Sequence, residues 1–181
     1  MSINAQFTIH NSQFTMKIIK LVVISAVILF ALITALSLLL PSHVRVSRAI
    51  NISATRETIA PYINDLSQWK KWNRFVIQAD SMHSLKGISG NLLEAGGLEI
   101  QLEKQGIDTI ETRWKQAGGR ISQSKFVLLP GEHYSVAQWY FDFHLEWYPW
   151  QKFQSIIYDK QLGPYMEGSL QNLKQIIETS K

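Results

Sequence analysis

Asp142, His144 and Glu146 stand at alternate positions of one segment. In an extended strand, alternate side chains share a face at a spacing of roughly 6–7 Å, close enough for a metal ion or an acid–base pair. The positions between and around them, Trp139, Phe141, Phe143, Leu145 and Trp147, are uniformly apolar. Such alternation describes a strand with one wet face and one buried face. The three polar residues are therefore expected on the solvent side, and neither a catalytic residue nor a metal site is assigned to them.

Other chemistries find less support. With no cysteine in 181 residues, disulfides, thiolate catalysis and Cys-ligated metals are excluded. Gly87, Gly90, Gly96 and Gly97 match neither nucleotide-binding spacing, and no serine lies in a Gly-x-Ser-x-Gly elbow, so no cofactor is expected. Lys70, Lys71 and Arg74 flank Trp69 and Trp72, a combination that suits either a solvated basic face or anionic headgroups. The remaining chemistry-bearing set is aromatic. Trp139, Phe141, Phe143 and Trp147, with Trp114, can face Met166 and Leu170 across an interior, with Trp69 and Trp72 near its mouth; these nine are the candidate lining of an apolar cavity.

Two kinds of element must position them. Met166, Leu170, Leu173 and Ile177 recur at helical spacing, and Gly163-Pro164 suits a helix start, which predicts a helix over 163–178. Strand periodicity marks Val44 to Ile52, Leu98 to Leu102, Ile110 to Trp114 and the stretch from Trp139. Turn signals at Gly118-Gly119 and Pro130-Gly131 bracket 120–129. Ile59, Ile63 and Leu66 are helix-spaced, with Pro61 a kink. Arg48 interrupts the apolar set of the first strand, which suits a strand end or a sheet edge. Residues 80–97 show little period. A long apolar helical stripe beside antiparallel strands predicts an α+β fold, a sheet with one face covered.

The N-terminal part has a different character. From Leu21 to Leu40 there is no charged residue, enough helix to cross about 30 Å of hydrocarbon. The run exceeds the 7–15 residues usual for a signal core and continues past the small-residue site at Ala35-Leu36-Ser37, which favours an uncleaved anchor. Residues 1–16 are expected to be a disordered tail, 17–41 an anchor helix contacting membrane through 18–40, and 42–181 the folded domain. Met16 followed by Lys17 and Lys20 resembles a translation start. A short basic N-terminus suggests a single-pass protein with its domain outside the cytoplasm, although Arg45, Arg48 and Arg56 on the far side nearly balance the count. The net charge of +4 leaves the region after Pro41 close to neutral, with 16 basic and 14 acidic residues interspersed, so nucleic acid is not an expected partner.

The strand Val44 to Ile52, then Ile59-Ala60-Pro61-Tyr62-Ile63-Asn64-Asp65-Leu66 with Trp69 and Trp72 after it, resembles the START-like or SRPBCC superfamily in its polyketide cyclase-like, membrane-anchored bacterial branch. Tyr148-Pro149-Trp150-Gln151-Lys152-Phe153, Gly163-Pro164, Met166-Glu167 and Leu170-Gln171-Asn172-Leu173-Lys174 resemble its closing segment. The likeness spans His43 to Glu178. It implies a helix-grip fold, in which a curved antiparallel sheet wraps a long C-terminal helix, with an apolar small molecule or lipid held between them. A cyclase or hydrolase using polar groups in that space, and a non-catalytic interaction module, are the alternatives.

Overall fold

A computed structural model describes residues 3–39, 41–145 and 148–180, without the side chains of 3–15 and 153–156. The chain divides into two units, Met1–Ser42 with Glu146–Phe153, and His43–Leu145 with Gln154–Lys181.

In the first unit, helix α1 runs from Ile3 to Leu38 and so extends over residues that the sequence reading gives to an irregular tail. Its segment Met16–Leu38 is long and apolar enough to cross a membrane, and its side chains are almost all exposed. Within it, Thr34 Oγ1 donates to the Phe30 carbonyl and Ser37 Oγ to the Thr34 carbonyl, both at 2.8 Å. Such back-bonding satisfies hydroxyls that an apolar solvent would leave without partners.

The second unit contains a seven-stranded antiparallel sheet. Its strands are β1 (His43–Ile52), β2 (Leu85–Ile88), β3 (Leu92–Ala95), β4 (Leu98–Lys104), β5 (Thr109–Gln116), β6 (Ile121–Pro130) and β7 (Ser135–His144), in the order β1-β7-β6-β5-β4-β3-β2. Bulges between Leu102 and Lys104 and between Leu85 and Gly87 shift its register. Extra residues of this kind bend a strand and increase its twist. The hairpin β2–β3 lies in the stretch that carries little periodicity. With only four residues in each strand, it is too short for alternation to stand out.

Alternation then sorts the faces. On β5 and β6, Ile110, Thr112, Trp114, Ser122, Ser124, Phe126 and Leu128 point inward. Outward are ladders of opposite charge, among them Arg113 with Glu103 at 2.8 Å and Lys125 with Glu111 at 2.9 Å. Each exposed pair contributes up to about 1 kcal/mol.

Helices close the concave side. α2 (Arg56–Asn64) carries Pro61, and a 3-10 turn over Leu66–Gln68 is capped by Asp65, which accepts from the Ser67 N–H. α3 (Trp69–Trp72) and α4 (Arg74–Ser81) follow, the latter capped by Asn73 Oδ1, which accepts from Phe75 N and Val76 N. The last helix, α5 (Pro149–Thr179), begins fourteen residues before the predicted start. Pro164 thus lies inside a helix rather than at its first turn, where it removes one backbone hydrogen bond. Met166, Leu170, Leu173 and Ile177 are buried in the core with the sheet's inner side chains, so the gripping face is the one the spacing indicates.

Candidate functional site

Eight of the nine candidates lie among the described residues, seven of them buried and Phe143 half-buried, and they do two different jobs. Trp69, Trp72, Trp139, Met166 and Leu170 fill the core. Trp139 stacks on Phe126 with centroids 4.8 Å apart, and Trp69 lies 5.2 Å from Trp72 and 6.5 Å from Trp139. Trp69 and Trp72 are therefore beneath the helices, not at a mouth. Their indoles explain why: Trp69 Nε1 donates to the Ile63 carbonyl and Trp72 Nε1 to the Tyr62 carbonyl, each at 3.0 Å. These bonds tie α3 down onto the end of α2.

Two hydroxyls do the same for the sheet. Trp139 Nε1 donates to Ser124 Oγ at 2.7 Å and Trp114 Nε1 to Thr112 Oγ1 at 3.0 Å, while the two hydroxyls are 3.2 Å apart. A buried polar hydrogen left without a partner costs about 1–3 kcal/mol, so this network fixes both indole planes. The sequence reading does not single out Thr112 or Ser124 in this role. Only the pairing register, which sets Thr112 opposite Ser124, reveals it.

The other candidates, Trp114, Phe141 and Phe143, line a cleft of about 260 Å³ at one end of the concave face. Phe75 from α4 and Tyr158 and Leu162 from α5 complete its apolar walls. Phe141 is 5.0 Å from Trp114, Phe143 is 4.6 Å from Tyr158, and Phe75 stacks on Tyr165 at 4.9 Å. Trp147, the ninth candidate, and Glu146 lie outside the described residues.

α5 is held over this cleft by polar ties from both sides. Ser169 Oγ accepts from the Arg74 N–H at 2.9 Å and donates to the Tyr165 carbonyl at 2.7 Å; Asn172 Nδ2 donates to the Trp72 carbonyl at 3.2 Å. On the opposite side Arg48, from the edge strand β1, reaches Asp159 at 2.9 Å. A Cβ at Gly163 would meet the Arg48 guanidinium, so glycine there gives the arginine room to pass. The hydrogen bond from Arg48 holds the Asp159 carboxyl below its usual range.

Asp142 and His144 sit on the outer face, exposed. Asp142 accepts two hydrogen bonds from Arg45, at 2.7 and 2.9 Å, and Arg45 lies 4.1 Å over the Tyr140 ring. His144 Nδ1 is 3.4 Å from His43 Nδ1. Neither residue faces the cleft, which removes them from any chemistry inside it. Lys70 is 3.7 Å from Asp80, and Lys71 hydrogen-bonds Gln68 at 2.7 Å, so both belong to a solvated surface network. Among the described residues, no three His, Cys, Asp or Glu side chains gather to hold a metal ion.

Solved structures place this arrangement. A START superfamily protein from Mycobacterium smegmatis superimposes with a TM-score of 0.53 at 17% identity, over 76% of this chain and 99% of that one. The fold is START-like, of the SRPBCC type. A protein of unknown function from Staphylococcus aureus, SA2116, gives a TM-score of 0.58 at 13% identity, over 76% of this chain and 95% of its own. The di-domain aromatase/cyclase StfQ of the steffimycin biosynthetic pathway gives 0.56 at 9% identity, and the START-like part of this chain spans about half its length (76% of this chain, 51% of that one). No family model matches the sequence, and no curated protein matches it.

Proposed function

We propose that this chain is a single-pass membrane protein, anchored through 17–41, whose START-like domain over 42–181 holds an apolar small molecule in the cleft between the sheet and α5. The observation that carries the reading is the split among the inner aromatics. Five core candidates are packed with every indole hydrogen satisfied, whereas Trp114, Phe141, Phe143 and Tyr158 border about 260 Å³ of open space. That volume lies near the lower end of small-molecule sites, which points to a compact ligand. An apolar wall bordering water is where burial of a ligand gains most, at roughly 25 cal/mol per Å² of apolar surface covered. The exposed apolar side chains of α1 support the anchor.

The test uses the full chain in phosphatidylcholine nanodiscs, titrated calorimetrically with naphthalene-sized aromatics against empty discs. Wild type is expected to bind and Leu162→Trp, which fills the cleft, to lose binding without losing thermal stability. Equal uptake by both would refute the site.

A second reading, a protein-interaction module at the membrane, draws on Trp150, which is 60% exposed and stacked on Tyr148 at 4.8 Å. Binding of a protein partner that Trp150→Ala abolishes and Leu162→Trp leaves intact would favour it.

A further inference from the structure

The cleft is apolar along its walls but not at its rim. Gln116 and Arg120 face one another across the β5–β6 turn, where the Gln116 N–H donates to the Arg120 carbonyl at 2.9 Å. Trp114 pairs with Ser122 in the adjoining ladder. By alternation Gln116 and Arg120 therefore continue the inward face that carries Trp114 and Ser122, and both line the cleft together with Gln161 of α5. No Asp or Glu lines it.

Arg120 differs from the cations on the opposite face of the same strands. Arg113, Lys115 and Lys125 are paired with Glu103, Glu99 and Glu111. Among the described residues the Arg120 guanidinium has no carboxylate partner, and Ser122, whose hydroxyl makes no hydrogen bond, lines the cleft with it. A positive fork and a hydroxyl thus stand at one end of a cleft whose other walls are largely apolar. Guanidinium groups recognise carboxylates and related oxyanions through two parallel hydrogen bonds.

From this we infer that the cleft takes an amphipathic anion, a compact apolar or aromatic body bearing one carboxylate, with the body against Trp114, Phe141 and Phe143 and the carboxylate on Arg120. The inference rests on the cleft-binding reading and adds the ligand's charge and its orientation. Arg120 is a binding residue here, exposed at the rim, and its replacement leaves the core untouched.

The experiment compares 2-naphthoate with its neutral counterpart 2-naphthylmethanol, by calorimetry on the full chain in phosphatidylcholine nanodiscs. Wild type, Arg120→Gln and, as a surface-charge control, Lys104→Gln are titrated at low and moderate salt. The expected result is that wild type prefers naphthoate by about tenfold, that Arg120→Gln removes the preference, and that Lys104→Gln keeps it. Equal binding of acid and alcohol by wild type, unchanged in Arg120→Gln, overturns the anion assignment while the cleft reading stands. Loss of the preference in Lys104→Gln to the same extent as in Arg120→Gln also overturns it, since the effect would then be general charge. Binding of neither compound overturns both readings.

Discussion

Ser124→Ala is the most informative perturbation of the interior. The hydroxyl it removes accepts from Trp139 Nε1 at 2.7 Å and lies 3.2 Å from Thr112 Oγ1, which in turn accepts from Trp114. Trp139 cannot turn to find another partner, because Phe126 is stacked on it at 4.8 Å and Trp69 lies 6.5 Å away. Its buried N–H is then left unsatisfied, at a cost of about 1–3 kcal/mol. The methylene retained in alanine leaves a void of only one oxygen atom, so the cavity contribution is small beside that. Taking about 2 kcal/mol, and a few degrees per kcal/mol for a domain of this size, the melting temperature should fall by about 5–10 °C. Urea denaturation followed by tryptophan fluorescence measures the free-energy change, and a thermal scan followed by near-UV circular dichroism the shift in melting temperature. Binding of naphthalene-sized ligands in the cleft should be unchanged. A loss below about 0.5 kcal/mol would refute the reasoning, because it would mean that water or a ligand reaches the indole and that Trp139 borders open space.

Three further outcomes follow from the ties around α5, the cap before α3 and the apolar helix α1. Gly163→Ala should destabilise the wild-type background, where the new methyl meets the Arg48 guanidinium, yet stabilise an Arg48→Met background by up to about 1 kcal/mol through helix propensity; the same sign in both backgrounds would refute the close approach. Asp65→Ala should cost about 1 kcal/mol through loss of the cap on the turn before Trp69, measured by denaturant titration. The Ser67 hydroxyl, opposed by partial burial and aided by the Ser67 N–H, holds the Asp65 carboxyl below its ordinary range. Its contribution is therefore present above about pH 4 and lost as pH falls through the lowered folded value, so wild type and Asp65→Ala should converge in stability in strong acid. The full chain should resist extraction from membranes by alkaline carbonate, whereas replacing Ile28 and Leu32 by Arg should release it; release of the wild type would refute the anchor.

Much of this architecture is legible in local pattern. The apolar run through α1, the alternation along β7 and the four-three-four spacing of Met166, Leu170, Leu173 and Ile177 each report a face within one element, because side-chain direction follows from backbone geometry alone. The outward placement of Asp142 and His144 follows the same way. The early start of α5 is hidden because Gly163-Pro164 resembles a helix beginning. Nothing local says that residues before it are already helical and that Arg48 crosses beside the glycine.

Which aromatics fill space and which border it is decided only by the fold. Trp139 and Phe143 occupy the same face of one strand and have the same character in sequence, yet one is stacked on Phe126 with Trp69 edge-on beside it and the other lines the cleft. The difference arises from what α3, α4 and α5 place opposite each position, a relation between residues far apart in the chain. Arg120 is the sharper case: at the start of the segment that Gly118-Gly119 opens, nothing local singles it out, and its inward aim depends on the register that sets it across from Gln116. Periodicity determines the face a side chain takes, because that is fixed by its own backbone; the company it keeps there depends on how distant segments pair and pack.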